Sequence, residues 1–379
     1  MSAYDVELIS GAANTVSKAA AWIHLVSGGD PVDGDVVEAL VAFAMSKAVA
    51  ISTVCRSSQR SGILCSLKGH SGRVNAVVAC HSKDQITVIS GSDDSTVRVW
   101  VLPYTPNHTC FEALALWESR AVLSAFSGPV TTLATLSDTG FGILVAACDS
   151  HGRLAVWTGG CPAPFELVEA IDFHPMQMPN DLYFMSLAGS IDRSSSAKCV
   201  ALIVGGIDSR IHLRVSTYDP ISATRFSAFA PVGMLAGHED WITCLSSIQV
   251  AKSSSSNDES SHGTLILASG SQDSKIRIWK FEMTAKSSAT ESLHSVFFEP
   301  AGDDADEGAD IDADEEQVQL VPDEVMTEAR LCFDTGGSGG ETYSVFFDAL
   351  LLGHEDWVTS VTWMRFVCLY AVTFTIQQQ

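Results

Sequence analysis

Three observations predict an all-β fold built from repeated small antiparallel sheets. The first is a pair of alternating runs, "TVRVW" ending at Trp100 and "KIRIW" ending at Trp279. They place Val97 and Val99 on one face and Arg98 and Trp100 on the other, as the period of two in a strand requires. The second is the polar segment ahead of each run, "SDDST" and "SQDSK". It reads as a tight turn joining the run to an apolar partner strand upstream, "ITVIS" or "LILAS". The third is a Gly-His loop ahead of each strand pair. "LKGHSGRVNAV" begins at Leu67, "LAGHEDWITCL" at Leu235, and a third opening, "LLGHEDWVTSV", at Leu351. Self-similarity at such intervals marks a chain assembled from repeats.

Composition supports a folded chain. At 379 residues there is room for two or three ordinary domains or one large repeat-built domain. A hydrophobic content of 46% against 18% charged residues is enough for a sizeable core. The formal net charge is −23, and the run Asp303 to Glu316 holds nine acidic residues and no basic one. Removing that run still leaves the chain strongly negative, which opposes a large phosphate-binding face and therefore strong direct nucleic-acid binding. Ten cysteines are scattered without a C-x-x-C pair. Zinc sites and small disulfide scaffolds need close paired spacing, so buried free thiols in a reducing compartment are expected. The N-terminus has Asp5 and Glu7 where a signal peptide carries basic residues. The most apolar segment, Val36 to Ile51, is short for a membrane span and contains Glu38 and Lys47. The sequon Asn107-His108-Thr109 is idle without a secretory route. A soluble protein of the cytoplasm or nucleus, with no membrane partner, is expected.

These segments resemble WD repeats, each of which forms one four-stranded blade of a β-propeller. In that family a His, a Ser or Thr, an Asp and a Trp form a buried hydrogen-bonded tetrad. The resemblance places His70, Ser90, Asp94 and Trp100 in one tetrad and His238, Ser269, Asp273 and Trp279 in another. The Asp stands in the turn six residues before the Trp, where it can hold the His ring from the incoming loop. The Ser links the turn to the Trp, so that buried polar groups pair among themselves. Ser92 or Ser271 can fill the Ser role instead, because a period of two puts them on the same face.

Other repeats are eroded. "GILVAACDSHGRLAVW" keeps Trp157 but has His151 where the turn Asp belongs, and "SAFSGPVTTL" ahead of it has Phe126-Ser127 in place of Gly-His. "VALIVGGIDSRIHLRV" keeps Asp208 but carries Arg214 at the Trp position. "EALVAFAMSKAVAIS" has a composition that also suits a helix, and it is read as the first blade because the others follow it. The expectation is an all-β WD-repeat β-propeller of about five blades plus the start of a sixth, an incomplete seven-bladed ring. The better repeats span 64–101, 122–158 and 232–280, with a partial one at 347–379. A Ser-rich insertion at 251–263 and an acidic, Gly-rich insertion at 286–342 interrupt them, and a helix over Pro322 to Leu331 is the only one expected.

The order of the degenerate repeats is similar to the first propeller of the Elongator complex subunit 2 family. "DSRIHLRV", "LAGHEDWITCL", "SQDSKIRIWK", an acidic spacer and "LLGHEDWVTSVTW" carry that resemblance, together with "SGPV" after the first Gly-His repeat. It implies a non-catalytic scaffold in an assembly that modifies the wobble uridine of certain tRNAs. Its partners would be the largest Elongator subunit and a separate catalytic subunit that carries the iron–sulfur and radical chemistry. It implies no cofactor for this chain. The apolar tail "WMRFVCLYAVTFTIQQQ" lacks the polar turn and "SxD…W" strands that the family places there, so a truncated gene product is expected.

Candidate chemistry has structural explanations. His70, His238 and His354 can serve as metal ligands or general bases, yet their repeat-locked positions favour the tetrad. Taking Gly308 as a calcium-loop glycine puts Ala305 and Glu307 at ligand positions, so that loop fails. "DTGGSGGETY" has no Gly-Lys-Ser/Thr and reads as linker, and Phe173 to Met178 reads as loop and core filler. Trp241 and Trp357, each directly after Glu-Asp, are candidate partner contacts on the loop face, or else rings packed under their loops. A propeller enzyme would need acids, bases or metal ligands converging on the inner strands, and the repeats already account for the polar residues here. A non-catalytic scaffold is therefore expected, with a generic WD-repeat scaffold or a substrate receptor of another complex as the alternative.

Overall fold

The computed structural model describes residues 18–25, 37–55, 62–82, 85–103, 114–138, 140–160, 163–187, 198–219, 226–250, 264–284, 331–334 and 342–363. The runs of alternating and continuous apolar residues form antiparallel strands that hydrogen-bond in chain order. The first sheet holds β1 (Ala20–His24), β2 (Val37–Ala44), β3 (Ala48–Cys55) and β4 (Gly62–Lys68). The second holds β5 (Val74–Ser82), β6 (Gln85–Ser92), β7 (Thr96–Pro103) and β8 (Glu118–Ser124). The third holds β9 (Val130–Asp138), β10 (Gly142–Asp149), β11 (Arg153–Gly159) and β12 (Glu166–Asp172). The fourth holds β13 (Pro179–Leu187), β14 (Lys198–Gly206), β15 (Ile211–Tyr218) and β16 (Ala230–Leu235). The fifth holds β17 (Ile242–Val250), β18 (Thr264–Ser271), β19 (Ile276–Thr284), β21 (Thr342–Leu351) and an added edge strand, β20 (Leu331–Asp334).

The first strands of successive sheets, β1, β5, β9, β13 and β17, contact one another in that order. The sheets are thus blades set side by side, and the architecture is a β-propeller. Blades pack face to face, so each middle strand is covered on both sides. In β7, Trp100 and Leu102 join Leu40 and Ile51 in the core between the first two blades, while Val97, Val99 and Val101 join Val130 and Val145 in the next. Alternation along a strand here separates two cores rather than core from solvent. That is why the chain is so apolar.

"EALVAFAMSKAVAIS" is strand, turn, strand: β2 and β3 pair from Val37↔Cys55 to Ala44↔Val49. The first tetrad's loop follows β4 of one blade and feeds β5 of the next, so each sequence repeat runs one strand out of phase with its sheet. The start of a sixth blade is seated. Val358 N donates to Ser271 O at 3.1 Å, and Thr243 Oγ1 donates to Val358 O. A Cβ on Gly270 would lie 2.5 Å from Val358, so only glycine admits this approach; Gly91 meets Val130 and Gly205 meets Ile242 in the same way. Lys18, ahead of β1, reaches across to β13, where Nζ pairs with Asp181 Oδ1 at 3.0 Å.

The acidic insertion expected over 286–342 differs at its end. Leu331–Asp334 is not linker but β20, paired with β21, and Leu331 packs into the space left by Gly233 of β16. The rest of the expected helix at 322–330 lies outside the described residues, as do the Ser-rich segment 251–263, between β17 and β18, and the tail after Trp363. A three-residue 3-10 turn, Pro175–Gln177, is the one named helical element among the described residues. No helix of those residues is long and apolar enough to cross a membrane.

Candidate functional site

The loops that join one blade's outer strand to the next blade's inner strand share a face with the β6–β7 and β18–β19 turns. The tetrad residues meet there. His70 Nδ1 lies 3.0 Å from Asp94 Oδ2, and His70 Nε2 lies 2.9 Å from Ser90 Oγ. Trp100 Nε1 donates to the same Ser90 oxygen at 3.0 Å. In the fifth blade His238 Nδ1 is 2.8 Å from Asp273 Oδ2 and Nε2 is 2.9 Å from Ser269 Oγ, which also accepts from Trp279 Nε1 at 2.9 Å. A carboxylate only accepts, so Nδ1 carries the proton. A neutral ring then leaves Nε2 as an acceptor, and the Ser hydroxyl donates to it. The relay runs Trp to Ser to His to Asp.

The electrostatics agree with neutral rings. Burial, opposed by the Asp partner, lowers the His70 and His238 pKa below the usual 6.5. Burial pulls the Asp94 carboxyl up, but hydrogen bonds from Thr96, Ser71 N and His70 outweigh it and hold the group below its usual 3.8. Asp273 is lowered likewise, burial being outweighed by Glu239 N, His238 and Lys275 N. Ser92 and Ser271 do something different. Each hydroxyl accepts the backbone N–H of its turn Asp, at 3.2 and 3.1 Å. The glycine of each Gly-His pair sits against an arginine from the strand below. A Cβ on Gly69 would lie 2.7 Å from Arg98, and one on Gly237 would lie 2.9 Å from Arg277.

The eroded blades use substitutes that sequence reading missed. In the third, the buried Asp149 accepts from His151 N and Arg153 N, both at 2.9 Å, and from Gly128 N at 3.3 Å. It stands two residues before His151, in the register of Ser92, and an Asp one strand position from the vacant turn was the available signal. In the fourth, His212 Nε2 reaches Asp208 Oδ2 at 2.9 Å within one hairpin. Arg214, at the Trp position, lies 4.0 Å from Glu169 of the third blade. His354 is half-buried in the third Gly-His loop. Met176 is 73% exposed at a loop tip and fills no core.

Trp241 and Trp357 stand out on this face, 45% and 54% exposed. Among the described residues no group of three His, Cys, Asp or Glu comes together that could hold a metal ion.

The family model described as "WD domain, G-beta repeat" matches residues 61–101 and 229–280, the two segments that contain the complete tetrads. The chain is similar to Elongator complex protein 2 of Danio rerio, 28% identical over 86% of this chain and 31% of that protein. Similarity extends to Elongator complex protein 2 of Dictyostelium discoideum, 25% identical over 80% of this chain and 33% of that protein. It extends also to that of Saccharomyces cerevisiae, 22% identical over 86% of this chain and 34% of that protein. The chain spans about a third of the length of these relatives. The chain thus contains WD repeats within a β-propeller fold, and its homologues across many species are named Elongator complex protein 2.

Proposed function

We propose that this protein is a non-catalytic scaffold subunit of an Elongator complex and supports wobble-uridine modification of tRNA by holding protein partners. The single observation that carries the reading is the similarity to Elongator complex protein 2 over 86% of the chain. The fate of the polar residues supports it. His70, His238, Asp94, Asp273 and Asp149 are consumed in tying loops to turns, and none is left converging with others as an acid–base set. The partners are the largest Elongator subunit and the catalytic subunit, and Trp241 and Trp357 are the surface residues assigned to them. The chain's net charge of −23 works against gripping tRNA directly, so its own tRNA affinity is weak and steeply salt-sensitive. The site of action is the cytoplasm, where tRNA is modified, with the nucleus as a second compartment.

The test is affinity purification of the tagged 379-residue chain from its own cells, followed by mass spectrometry. Recovery of the largest and catalytic Elongator subunits is the expected result. A set of partners with no Elongator subunit would replace this reading with a generic WD-repeat scaffold or a receptor in another complex.

A further inference from the structure

One turn ties together two loops that each carry an exposed tryptophan. Gln272 N donates to Trp241 O at 3.0 Å, and the adjacent Ser271 O accepts from Val358 N at 3.1 Å, directly after Trp357. The two loops share a local shape, since Trp241 N donates to Asp240 Oδ1 at 2.8 Å and Trp357 N to Asp356 Oδ1 at 2.7 Å. The two tryptophans thus occupy matching positions in successive Gly-His loops, and roughly half of each is open to solvent. The flanking acidic residues are Glu239, Asp240, Glu355 and Asp356, and neither "GHEDW" segment contains a lysine or arginine. Lys275, the cation of the adjoining turn, is already paired with Glu239 at 2.8 Å.

We infer that Trp241 and Trp357 form a docking site for an extended, basic segment of a partner protein, its arginine or lysine side chains lying on the two indoles beside Glu239, Asp240, Glu355 and Asp356. Indole faces attract cations through their quadrupole, and the surrounding carboxylates add charge attraction. A purely apolar helix seated here would strip water from these carboxylates without pairing the oxygens that the loops leave open, and an acidic segment or a nucleic acid would be repelled. The inference rests on the reading of these tryptophans as partner contacts.

The full chain is titrated, by calorimetry and by tryptophan fluorescence, with a short synthetic peptide of alternating arginine and glycine. Control peptides carry glutamine or glutamate in place of arginine. The arginine peptide should bind, more weakly as salt rises, and the controls should not. Trp241→Ala with Trp357→Ala should weaken binding about tenfold or more, and Glu355→Lys should weaken it at low salt. Because both rings are exposed, these variants should keep the parent melting temperature. Equal affinity in the double variant, or equal binding of the glutamine peptide, overturns the inference. If the double variant also loses co-purifying subunits while the arginine peptide never binds, the tryptophans are partner contacts and the basic-segment assignment is wrong. If the variant loses the peptide and keeps its subunits, the docking site stands and the Elongator contacts lie elsewhere.

Discussion

The Ser269 hydroxyl illustrates how one small residue holds an interface. It accepts from Trp279, sits within reach of His238, and through that ring connects to Asp273 on the turn. Because the His comes from the loop leaving the fourth blade, the tetrad ties that loop to the fifth blade. Asp273→Ala should leave the buried ring N–H without a partner and lower stability by about 1–3 kcal/mol, read as a drop in the urea midpoint with unchanged slope. The pH dependence has the same origin. The folded histidines have pKa values below 6.5, so on acidification the unfolded chain takes up protons first, and stability falls as pH drops through 6.5 toward the folded values. A second loss follows below 3.8, as the unfolded carboxyls bind protons that folded Asp94 and Asp273 still refuse. Denaturation midpoints should therefore fall between about pH 7 and about pH 5, and a flat profile would count against neutral, buried rings. Sequence spacing narrowed the Ser to two positions in each blade. It could not choose between Ser90 and Ser92, because period two puts both on one face and only the depth of the turn separates them.

At the scale of elements, the strands with alternating apolar runs and polar turns were legible, and those without that grammar were not. β1 is five residues long and β20 four, too short for a period to register, and β20 exists only because β21 offers it an edge. The tie between Lys18 and Asp181 was invisible for another reason: it joins residues 163 positions apart in chain order and depends on the blades' arrangement around one another. The second oxygen of Asp181 accepts from Leu245 N at 2.8 Å, so this carboxylate links the first, fourth and fifth blades. Burial pushes the Asp181 pKa up and Lys18 opposes that shift. Lys18→Met should therefore destabilise the fold by about 3 kcal/mol near neutral pH, and the loss should shrink in acid as Asp181 takes up a proton; calorimetric melting at several pH values checks both signs. Thiol chemistry tests the packing of other elements. Burial raises Cys148 far above the ordinary thiol range and pushes Cys244 up to about 12, whereas Cys332 on β20 is exposed. Native alkylation followed by peptide mapping should label Cys332 well before Cys148 or Cys244.

Across the whole molecule, one arrangement explains both the composition and the proposed role. Blades stacked face to face need strands that are apolar on both sides, which accounts for 46% hydrophobic residues. His70, Ser90 and Asp94, like His238, Ser269 and Asp273, tie loops to turns, and Trp241 and Trp357 are exposed on the same face. On the proposed role, the chain would alter tRNA only through the proteins it holds. Wobble-uridine nucleosides are therefore the most direct readout, measured by mass spectrometry of tRNA from cells that lack the gene and from cells given back either the parent protein or the Trp241→Ala, Trp357→Ala variant. Modification should be lost without the gene, return with the parent protein, and stay low with the variant although it accumulates and melts like the parent. Normal wobble-uridine modification in cells lacking the gene would contradict a scaffold role in Elongator.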